Sequence, residues 1–455
     1  MKFVIVGGGI AGVSCASRLQ QFEDPEDDIV LISGSGYVKC ISKLEKVGQF
    51  TEFLEVETVN NIAQDKRIRL IFAKVVEFSP QEKKLLLNNG EIVFYDKLCI
   101  ATGATPKVTC SSRKHHVLRD TDTVKDFSKS LQACKSIAIV GNGGIATDLI
   151  YEIGCCHLDW IIKDKSISST WFIPEVEQFL ESRLKAGRTD NKKIAESIVG
   201  TTSFSSSTAD NGVHGCAPGP DWKETVSFLG SSDARDVRIY RNCVITDIRN
   251  EQEQVELITS NNDHINADIV LWATGVEPDS QIWSKCGSLK IADDGGILVD
   301  NAMKTSIDDV YACGDVCTPS WIGQSENWKQ MRTWTQARQM GDYCARSMSS
   351  KVPGLDLDFC FEVFAHATYL FGYRCIFLGD FKGERHENWY IRERIIEEDS
   401  YVCCIMKDHR VVGATLIGET ELEETLENLI LNRTSLELIE ENFLDPNIDI
   451  QDFFD

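Results

Sequence analysis

The sequence is short of positive charge and has no long apolar segment. Its 455 residues carry 47 Lys and Arg against 70 Asp and Glu, so the formal net charge is −23. This balance disfavours broad electrostatic binding to nucleic acid or to an anionic membrane, and we expect neither as a direct partner. No stretch reaches the roughly 18 apolar residues of a membrane span, and no secretory leader precedes the apolar run 3–6. These absences predict a protein of the cytosol or the nucleus.

Paired cysteine spacings are also missing, although the chain contains 17 cysteines. The close pairs are Cys155/Cys156, Cys313/Cys317 and Cys403/Cys404. None of them belongs to the double C-x2-C pattern of a structural zinc site, so the spacing predicts no metal site. The pattern favours reduced thiols that are buried as small apolar side chains.

Two segments share one pattern, in which a short β-rich run leads into a glycine cluster and then a helix. These segments are Lys2 to Leu19 and Ser136 to Ile153, with further apolar runs at 29–32 and 158–162. An Ala-Thr-Gly turn is duplicated as well. The sequence therefore predicts an α/β fold with two Rossmann-like dinucleotide-binding domains, followed by a smaller α+β domain at the C-terminus.

The two glycine clusters have the spacing of dinucleotide-binding loops. Gly7, Gly9 and Gly12 form G-x-G-x-x-G between a strand and a helix. The second cluster is the variant G-x-G-x-x-A, formed by Gly141, Gly143 and Ala146. Glycine permits the tight turn and the close approach of a pyrophosphate to the helix N-terminus, so each cluster predicts a nucleotide site.

The order of the motifs resembles the pyridine nucleotide-disulphide oxidoreductase family over roughly residues 1 to 345. The motifs are the glycine loops, the Ala-Thr-Gly turns, Arg119-Asp120 and the Tyr-Ala-Cys-Gly-Asp run ending at Asp315. The resemblance implies FAD on the first unit and NADH or NADPH on the second. The FAD residues that it implies are Gly7, Gly9, Ile10, Ala11, Gly12, Ser33, Lys39, Ala101, Thr102, Gly103, Ala104, Arg119 and Asp315. The NAD(P)H residues that it implies are Gly141, Gly143, Gly144, Ile145, Ala146, Lys163, Ala273, Thr274 and Gly275.

Together with changes in composition, the resemblance implies domain boundaries. We predict a discontinuous FAD-binding domain at 1–125 and 290–345. An NAD(P)H-binding domain at 126–289 would carry a flexible, Ser- and Thr-rich insertion around 184–235. An α+β domain at 351–443, with a helix pattern at 419–432, would end in the acidic and aromatic tail 444–455.

Two positions depart from the family pattern at the end of the second strand, where an acidic residue is expected to bind a ribose. Ser33 stands there in the first unit and Lys163 in the second. Ser33 can still hydrogen-bond a ribose hydroxyl. Lys163, with Lys165 nearby, either attracts the 2′-phosphate of NADPH or belongs to a solvated pair of lysines.

The redox dithiol of the disulphide-reducing members is absent. Where they carry C-x4-C on a helix, this chain has Ser35 and Cys40, so a dithiol relay cannot form. Cys40 is either a single redox thiol or a packed cysteine. Lys39 and Lys43 are candidates for a flavin-side lysine, with surface lysines as the alternative. We name Lys39, Cys40 and Lys43 as the candidate catalytic residues.

The C-terminal catalytic base of the family is not recognisable, and His366 is either a flavin-side residue or a packed histidine. Hydride transfer from nicotinamide to flavin needs neither a base nor a relay, so the sequence predicts an FAD-dependent NAD(P)H oxidoreductase. Two alternatives stay open at this point. One is an NAD(P)H oxidase or single-cysteine reductase using Cys40, and the other is a nicotinamide-sensing binding module.

A closer resemblance, to one branch of the family, covers almost the whole chain. It is carried by the segments 139–146, 334–341, 412–431 and 444–455. This resemblance implies an enzyme of the nucleus and cytoplasm that protects the tRNA ligase complex from oxidation. The tail alternates Asp with Ile and Phe, which fits either a docking peptide or a segment folded back on its own domain.

Overall fold

The computed structural model describes residues 1–60, 67–108, 114–188, 220, 222–223, 226–250, 253–349, 351–352 and 356–447. Its strands are β1 (Lys2–Val6), β2 (Asp28–Ser33), β3 (Val38–Lys46), β4 (Glu52–Val59), β5 (Ile68–Phe72), β6 (Val75–Ser79), β7 (Lys84–Leu87), β8 (Ile92–Phe94), β9 (Lys97–Ile100), β10 (Ala104–Pro106), β11 (His115–His116), β12 (Ser136–Val140), β13 (His157–Ile161), β14 (Asp236–Tyr240), β15 (Ile245–Asn250), β16 (Val255–Thr259), β17 (His264–Ala267), β18 (Ile269–Trp272), β19 (Val276–Pro278), β20 (Ile297–Val299), β21 (Val310–Ala312), β22 (Cys317–Pro319), β23 (Ala365–Leu370), β24 (Tyr373–Gly379), β25 (Tyr390–Ile396), β26 (Ser400–Lys407) and β27 (Arg410–Ile417). Its α-helices are α1 (Ile10–Phe22), α2 (Thr121–Leu131), α3 (Gly144–Glu152), α4 (Glu177–Ala186), α5 (Gln281–Ser284), α6 (Trp334–Met348) and α7 (Glu423–Asn432).

The first Rossmann unit is a five-stranded parallel sheet in the order β21-β9-β1-β2-β5. Strands β1 and β2 are apolar along nearly their whole length because helices and the rest of the chain cover both faces of the sheet. The chain leaves this sheet after β9 and returns to it at β21. The first unit is therefore built from two separate stretches of sequence.

The second Rossmann unit repeats the design with the parallel sheet β11-β18-β12-β13-β14. An antiparallel sheet, β15-β16-β17, lies beside it. Helix α4 (177–186) runs into the start of the insertion predicted around 184–235, and β14 begins at 236, directly after that insertion. Most of that insertion, namely 189–219, 221 and 224–225, lies outside the described residues.

The C-terminal part is an antiparallel sheet, β23-β24-β27-β26-β25, against which α7 packs. Phe443 and Leu444 are buried in the same core, at 1% and 8% exposure. The predicted tail therefore begins as part of this domain, and its residues 448–455 lie outside the described residues. Parallel Rossmann sheets together with this α+β unit confirm the predicted fold class.

Helix α7 also holds the hairpin of β3 and β4 in place through Glu427. This carboxylate is fully buried and accepts hydrogen bonds from the backbone N–H of Phe50 at 2.7 Å and of Thr51 at 3.1 Å. It also accepts one from the Thr51 hydroxyl. The tip of the hairpin is thus fixed by a residue almost 380 positions later in the chain.

Among the described residues, no helix combines the length and the apolar character that crossing a membrane requires.

Candidate functional site

Both glycine loops are locked to an Ala-Thr-Gly turn by the same close contact. Gly7 has φ +132°, and a Cβ on it would lie 2.0 Å from the carbonyl oxygen of Ala101. Gly141 has φ +133°, and its Cβ would lie 2.1 Å from the carbonyl oxygen of Ala273. Only glycine fits either position, since both the backbone angle and the space exclude a side chain. The two motifs that the sequence duplicates are therefore paired in space within each unit.

The middle glycine of each loop leaves an open helix N-terminus. Gly9 is the N-cap residue of α1, and Gly143 is the N-cap residue of α3. As glycines, they have no side chain that could accept a hydrogen bond from the first N–H groups of the helix. A Cβ on Gly9 would meet no atom within 4 Å, and one on Gly143 would meet only the Thr170 hydroxyl at 4.0 Å. The first N–H groups of each helix have no carbonyl one turn earlier to bond, so each N-terminus suits a phosphate.

One cleft of about 480 Å³ joins the two loops. The predicted site residues that line it are Gly9, Ile10, Ala11, Lys39, Ala101, Thr102, Gly103, Ala104, Arg119, Gly143, Gly144, Ile145, Ala273, Gly275 and Asp315. Those that do not line it are Gly7, Gly12, Ser33, Cys40, Lys43, Gly141, Ala146, Lys163 and Thr274. Gly7, Gly12 and Gly141 act behind the cleft wall, where they allow the loops to pack closely.

Asp315 lies in a 3₁₀ turn that follows β21, at the floor of the cleft. Burial raises the pKa of this carboxyl to about 7, and the nearby Arg332 guanidinium opposes the shift. Arg332 donates to the Asp315 backbone carbonyl at 3.0 Å rather than to the carboxylate. No N–H or hydroxyl in the described part of the chain satisfies this carboxylate, which suits it to accept hydrogen bonds from the hydroxyls of a ligand.

Lys39, Cys40 and Lys43 all lie on strand β3. Successive side chains of a strand point to opposite faces, so Lys39 lines the cleft while Cys40 does not. Lys39 is 3% exposed, and its Nζ donates to Thr58 Oγ1 at 2.5 Å. Lys43 is solvent-exposed and pairs with Glu55 at 2.8 Å. Neither Cys40 nor Lys43 lines the cleft, and their catalytic role stays a prediction.

Neither residue at the end of a second strand reaches the cleft. The Ser33 hydroxyl donates to the Tyr37 carbonyl at 2.8 Å and lies directly beneath Gly8. Lys163 is exposed, whereas the next residue, Asp164, accepts a hydrogen bond from the Asn142 side chain at 2.9 Å. An acidic residue therefore stands one position after Lys163, where it braces the second glycine loop. The choice between NADH and NADPH stays open.

An aromatic wall closes the cleft between the two units, and the sequence predicts only His366 of its members. The Trp171 and His366 rings are stacked with centroids 5.2 Å apart, and Trp171 also lies against Gly144. The indole N–H groups of Trp171 and Trp272 are buried without a hydrogen-bond partner, and both side chains line the cleft. These N–H groups can donate to a bound ligand, because a buried N–H without a hydrogen-bond partner costs free energy.

His366 is a neutral imidazole in this setting. It is 2% exposed, and burial lowers its pKa to about 3. Its Nδ1 lies 3.1 Å from the Thr335 hydroxyl at the start of α6. A histidine that stays neutral over the physiological pH range can pack along the cleft and exclude water from it. It cannot serve as a general acid there.

A buried ion pair that the sequence does not predict lies beside the second glycine loop. Asp148, two residues beyond the motif, lines the cleft and pairs with Lys223 at 2.8 Å. Lys223 also donates to the Tyr369 carbonyl at 3.1 Å. The only signal in the sequence is the position of Asp148 on α3, one turn from the N-terminus. Its partner lies 75 residues away, within the predicted insertion.

Comparison with known proteins agrees with this geometry. The model of the family described as pyridine nucleotide-disulphide oxidoreductase matches residues 1–187 and 230–341. The human pyridine nucleotide-disulfide oxidoreductase domain-containing protein 1 is 38% identical over 496 aligned positions, covering 100% of this chain and 98% of that protein. Its Drosophila melanogaster counterpart is 34% identical, with 100% and 99% covered.

A solved structure of similar fold is a ferredoxin reductase from Rhodopseudomonas palustris. It has a TM-score of 0.70 at 18% identity and covers 99% of both chains. A persulfide reductase from A. fulgidus has a TM-score of 0.66 at 17% identity, covering 96% of this chain and 78% of that one. At such identities the likeness shows a shared fold.

The cofactors of this protein are FAD and a reduced nicotinamide nucleotide, and the cleft offers a fitting glycine loop for each. The resemblance drawn from the order of the sequence motifs is confirmed. The chain belongs to the pyridine nucleotide-disulphide oxidoreductase family.

Proposed function

We propose that this NAD(P)H-dependent flavin oxidoreductase holds FAD on the loop 7–12 and the nicotinamide nucleotide on the loop 141–146, and that it passes electrons to an acceptor outside its own chain. One observation carries the proposal. Both loops open into a single cleft, and no cysteine is among the described residues that line it. A dithiol relay, as used for disulphide reduction, has no place in that lining.

When bound, FAD supplies a ring that accepts a hydride from the nicotinamide. The residues of the chain provide binding, alignment and exclusion of water. The N-termini of α1 and α3 bind the two pyrophosphates, and Asp315 accepts hydrogen bonds from flavin-side hydroxyls. Trp171 and His366 form a wall of the cleft that would exclude water from the bound cofactors. Lys39 brings positive charge to the cleft, which favours the reduced, anionic form of a flavin.

The test is anaerobic mixing of the yellow protein with NADH or NADPH, followed through the flavin absorbance. We expect bleaching, which returns only when an acceptor is admitted. Lys39→Met should slow bleaching by roughly 10-fold, as expected for the loss of one aligned charge near the reacting ring. The matched control is Lys43→Met, four residues away on the same strand but exposed, and it should bleach at the wild-type rate.

Two results would contradict the proposal. The first is a protein that holds FAD yet shows no bleaching with either nucleotide, which would favour the alternative of a nicotinamide-sensing module. The second is a Cys40→Ser variant that bleaches normally but cannot pass its electrons to any acceptor. That outcome would restore the single-cysteine mechanism, although Cys40 does not line the cleft.

We further propose, from the sequence resemblance to one branch of the family, that the chain protects the tRNA ligase complex from oxidation in the nucleus and cytoplasm. Residues 448–455 are the candidate docking peptide, because Leu444 is buried in the C-terminal core and is not available for docking. Deletion of 448–455 should abolish pull-down of the ligase and leave anaerobic bleaching unchanged. Unaltered pull-down would reject the tail as the docking site.

A further inference from the structure

Four fully buried cysteines come together inside the first Rossmann unit, away from the cleft lining. They are Cys15 on α1, Cys99 on β9, Cys313 just after β21 and Cys344 on α6, each with 0% exposure. The Sγ atom of Cys99 lies 3.4 Å from that of Cys313 and 3.7 Å from that of Cys344. The Sγ atoms of Cys15, Cys99 and Cys344 all lie within 4.8 Å of one another.

The backbone holds these thiols close together. Helices α1 and α6 cross at Gly341, where a Cβ would lie only 2.2 Å from the Ala11 carbonyl oxygen. This close crossing brings Cys15 and Cys344 against the same strand. Strand β9 presents Cys99 to both helices and pairs in parallel with β21, which leads into Cys313. The cluster is therefore fixed by elements that also build the FAD unit.

A fifth sulphur borders the cluster. The thioether of Met348, at the end of α6, lies 3.9 Å from the Cys15 thiol. Three thiols and a thioether form a soft set of donors, which binds thiophilic metal ions in preference to hard ones. The three Sγ atoms lie within 4.8 Å of one another, so the space among them has room for one metal ion. This space is too small for an iron–sulphur cluster.

We propose that Cys15, Cys99 and Cys344 bind one Cu(I) ion, with Met348 as a weak neighbouring donor. Three convergent, fully buried thiols suit Cu(I), whereas a structural Zn²⁺ site requires four tetrahedral ligands, and Cys313 is not part of the group whose Sγ atoms all lie within 4.8 Å of one another. Binding replaces the proton of each ligating thiol with a bond to the metal, and that proton passes to solvent. No electron is transferred.

The test uses the full-length, FAD-loaded protein under anaerobic conditions. Cu(I) is supplied as its acetonitrile complex in competition with the chromogenic chelator bicinchoninate. We expect one equivalent to be retained per chain, with an ultraviolet thiolate-to-copper charge-transfer band. A Cys15→Ala/Cys344→Ala variant should lose at least roughly 100-fold in affinity, because even changes around a metal's ligands commonly cost about 10- to 100-fold.

The matched control is Cys375→Ala/Cys404→Ala, which removes two equally buried cysteines from the C-terminal sheet and should keep the copper site. Should the first variant fail to fold, X-ray absorption at the copper edge of the wild-type protein still decides, because the proposal requires sulphur ligands alone. Nitrogen or oxygen ligands would overturn the proposal. Equal Cu(I) affinity in wild type and cluster variant, or retention of Zn²⁺ but not of Cu(I), would overturn it as well.

Discussion

Replacing Gly9 with Ala should give a folded protein that no longer retains FAD. Gly9 has φ −79°, which Ala adopts without strain, and its Cβ would meet no atom within 4 Å. The added methyl group instead stands at the mouth of the α1 N-terminus, where a pyrophosphate must approach the backbone closely. We expect FAD affinity to fall by roughly 100-fold, which corresponds to about 2.7 kcal/mol. The measurement is the flavin absorbance that remains after gel filtration, followed by titration with FAD.

Two matched variants make this prediction specific. Gly323→Ala also places a methyl group in open space, outside the cleft, and should retain FAD fully. Gly143→Ala makes the same change in the second loop, so it should keep its yellow colour but require about 100-fold more nicotinamide nucleotide for bleaching. If Gly143→Ala loses FAD and Gly9→Ala keeps it, the assignment of the two loops is reversed.

Acidification should destabilise the protein through His366. The folded pKa of His366 is about 3, against an ordinary value of about 6.5 in an unfolded chain. Above pH 6.5 both states leave the imidazole neutral, and its ionisation has no effect on stability. Below pH 6.5 the imidazole of His366 binds a proton in the unfolded chain but not in the folded protein. Stability therefore falls until the pH reaches about 3. Between pH 6.5 and 5.0 this contribution amounts to roughly 2 kcal/mol.

Denaturant unfolding of the wild type and of His366→Gln, at pH 7.5, 6.5 and 5.0, measures this effect. The variant lacks the titrating group, so its stability should fall by about 2 kcal/mol less between pH 6.5 and 5.0. Parallel losses in the wild type and in His366→Gln would show that His366 is protonated in the folded protein.

The glycine loops could be predicted from the sequence because the residues of each motif are close together along the chain. At Gly7 and Gly141 the backbone φ is positive, and an added Cβ would lie about 2 Å from a backbone carbonyl oxygen. Only glycine therefore fits these positions. The aromatic wall was not predictable in the same way. Trp171 acts on the cleft only because β13 and α3 bring it against Gly144, and no spacing along the chain encodes that contact. Asp148 was missed for a related reason, since its partner Lys223 is distant in sequence.

The segment that carries Lys39 and Cys40 forms the hairpin of β3 and β4. Apolar and polar residues partly alternate over 38–46 and 52–59, which is typical of paired strands. Opposite charges face each other across the pair, as at Lys43 and Glu55. The period of two in this segment favours a strand over a helix and also explains why Lys39 and Cys40 point to opposite faces.

The spacing rules applied to the sequence cover only cysteines that are close together along the chain. Cys15 and Cys344 are separated by more than 300 residues, and they meet only because α1 and α6 cross closely at Gly341. Spacing rules detect ligands that share a turn or a hairpin. Ligands drawn from separate elements become visible only in three dimensions.

The buried contact of Glu427 with the hairpin also has a consequence for the synthesis of the protein. The ribosome releases the chain from its N-terminus, so the first Rossmann strands emerge hundreds of residues before α7. The tip of this hairpin gains its buried hydrogen bonds only when residue 427 has been made and its carboxylate meets Phe50 and Thr51. Fixing the hairpin tip is therefore a late event in biogenesis. A chain truncated before α7 would leave the ribosome with every cleft-lining residue made but the hairpin tip unsupported.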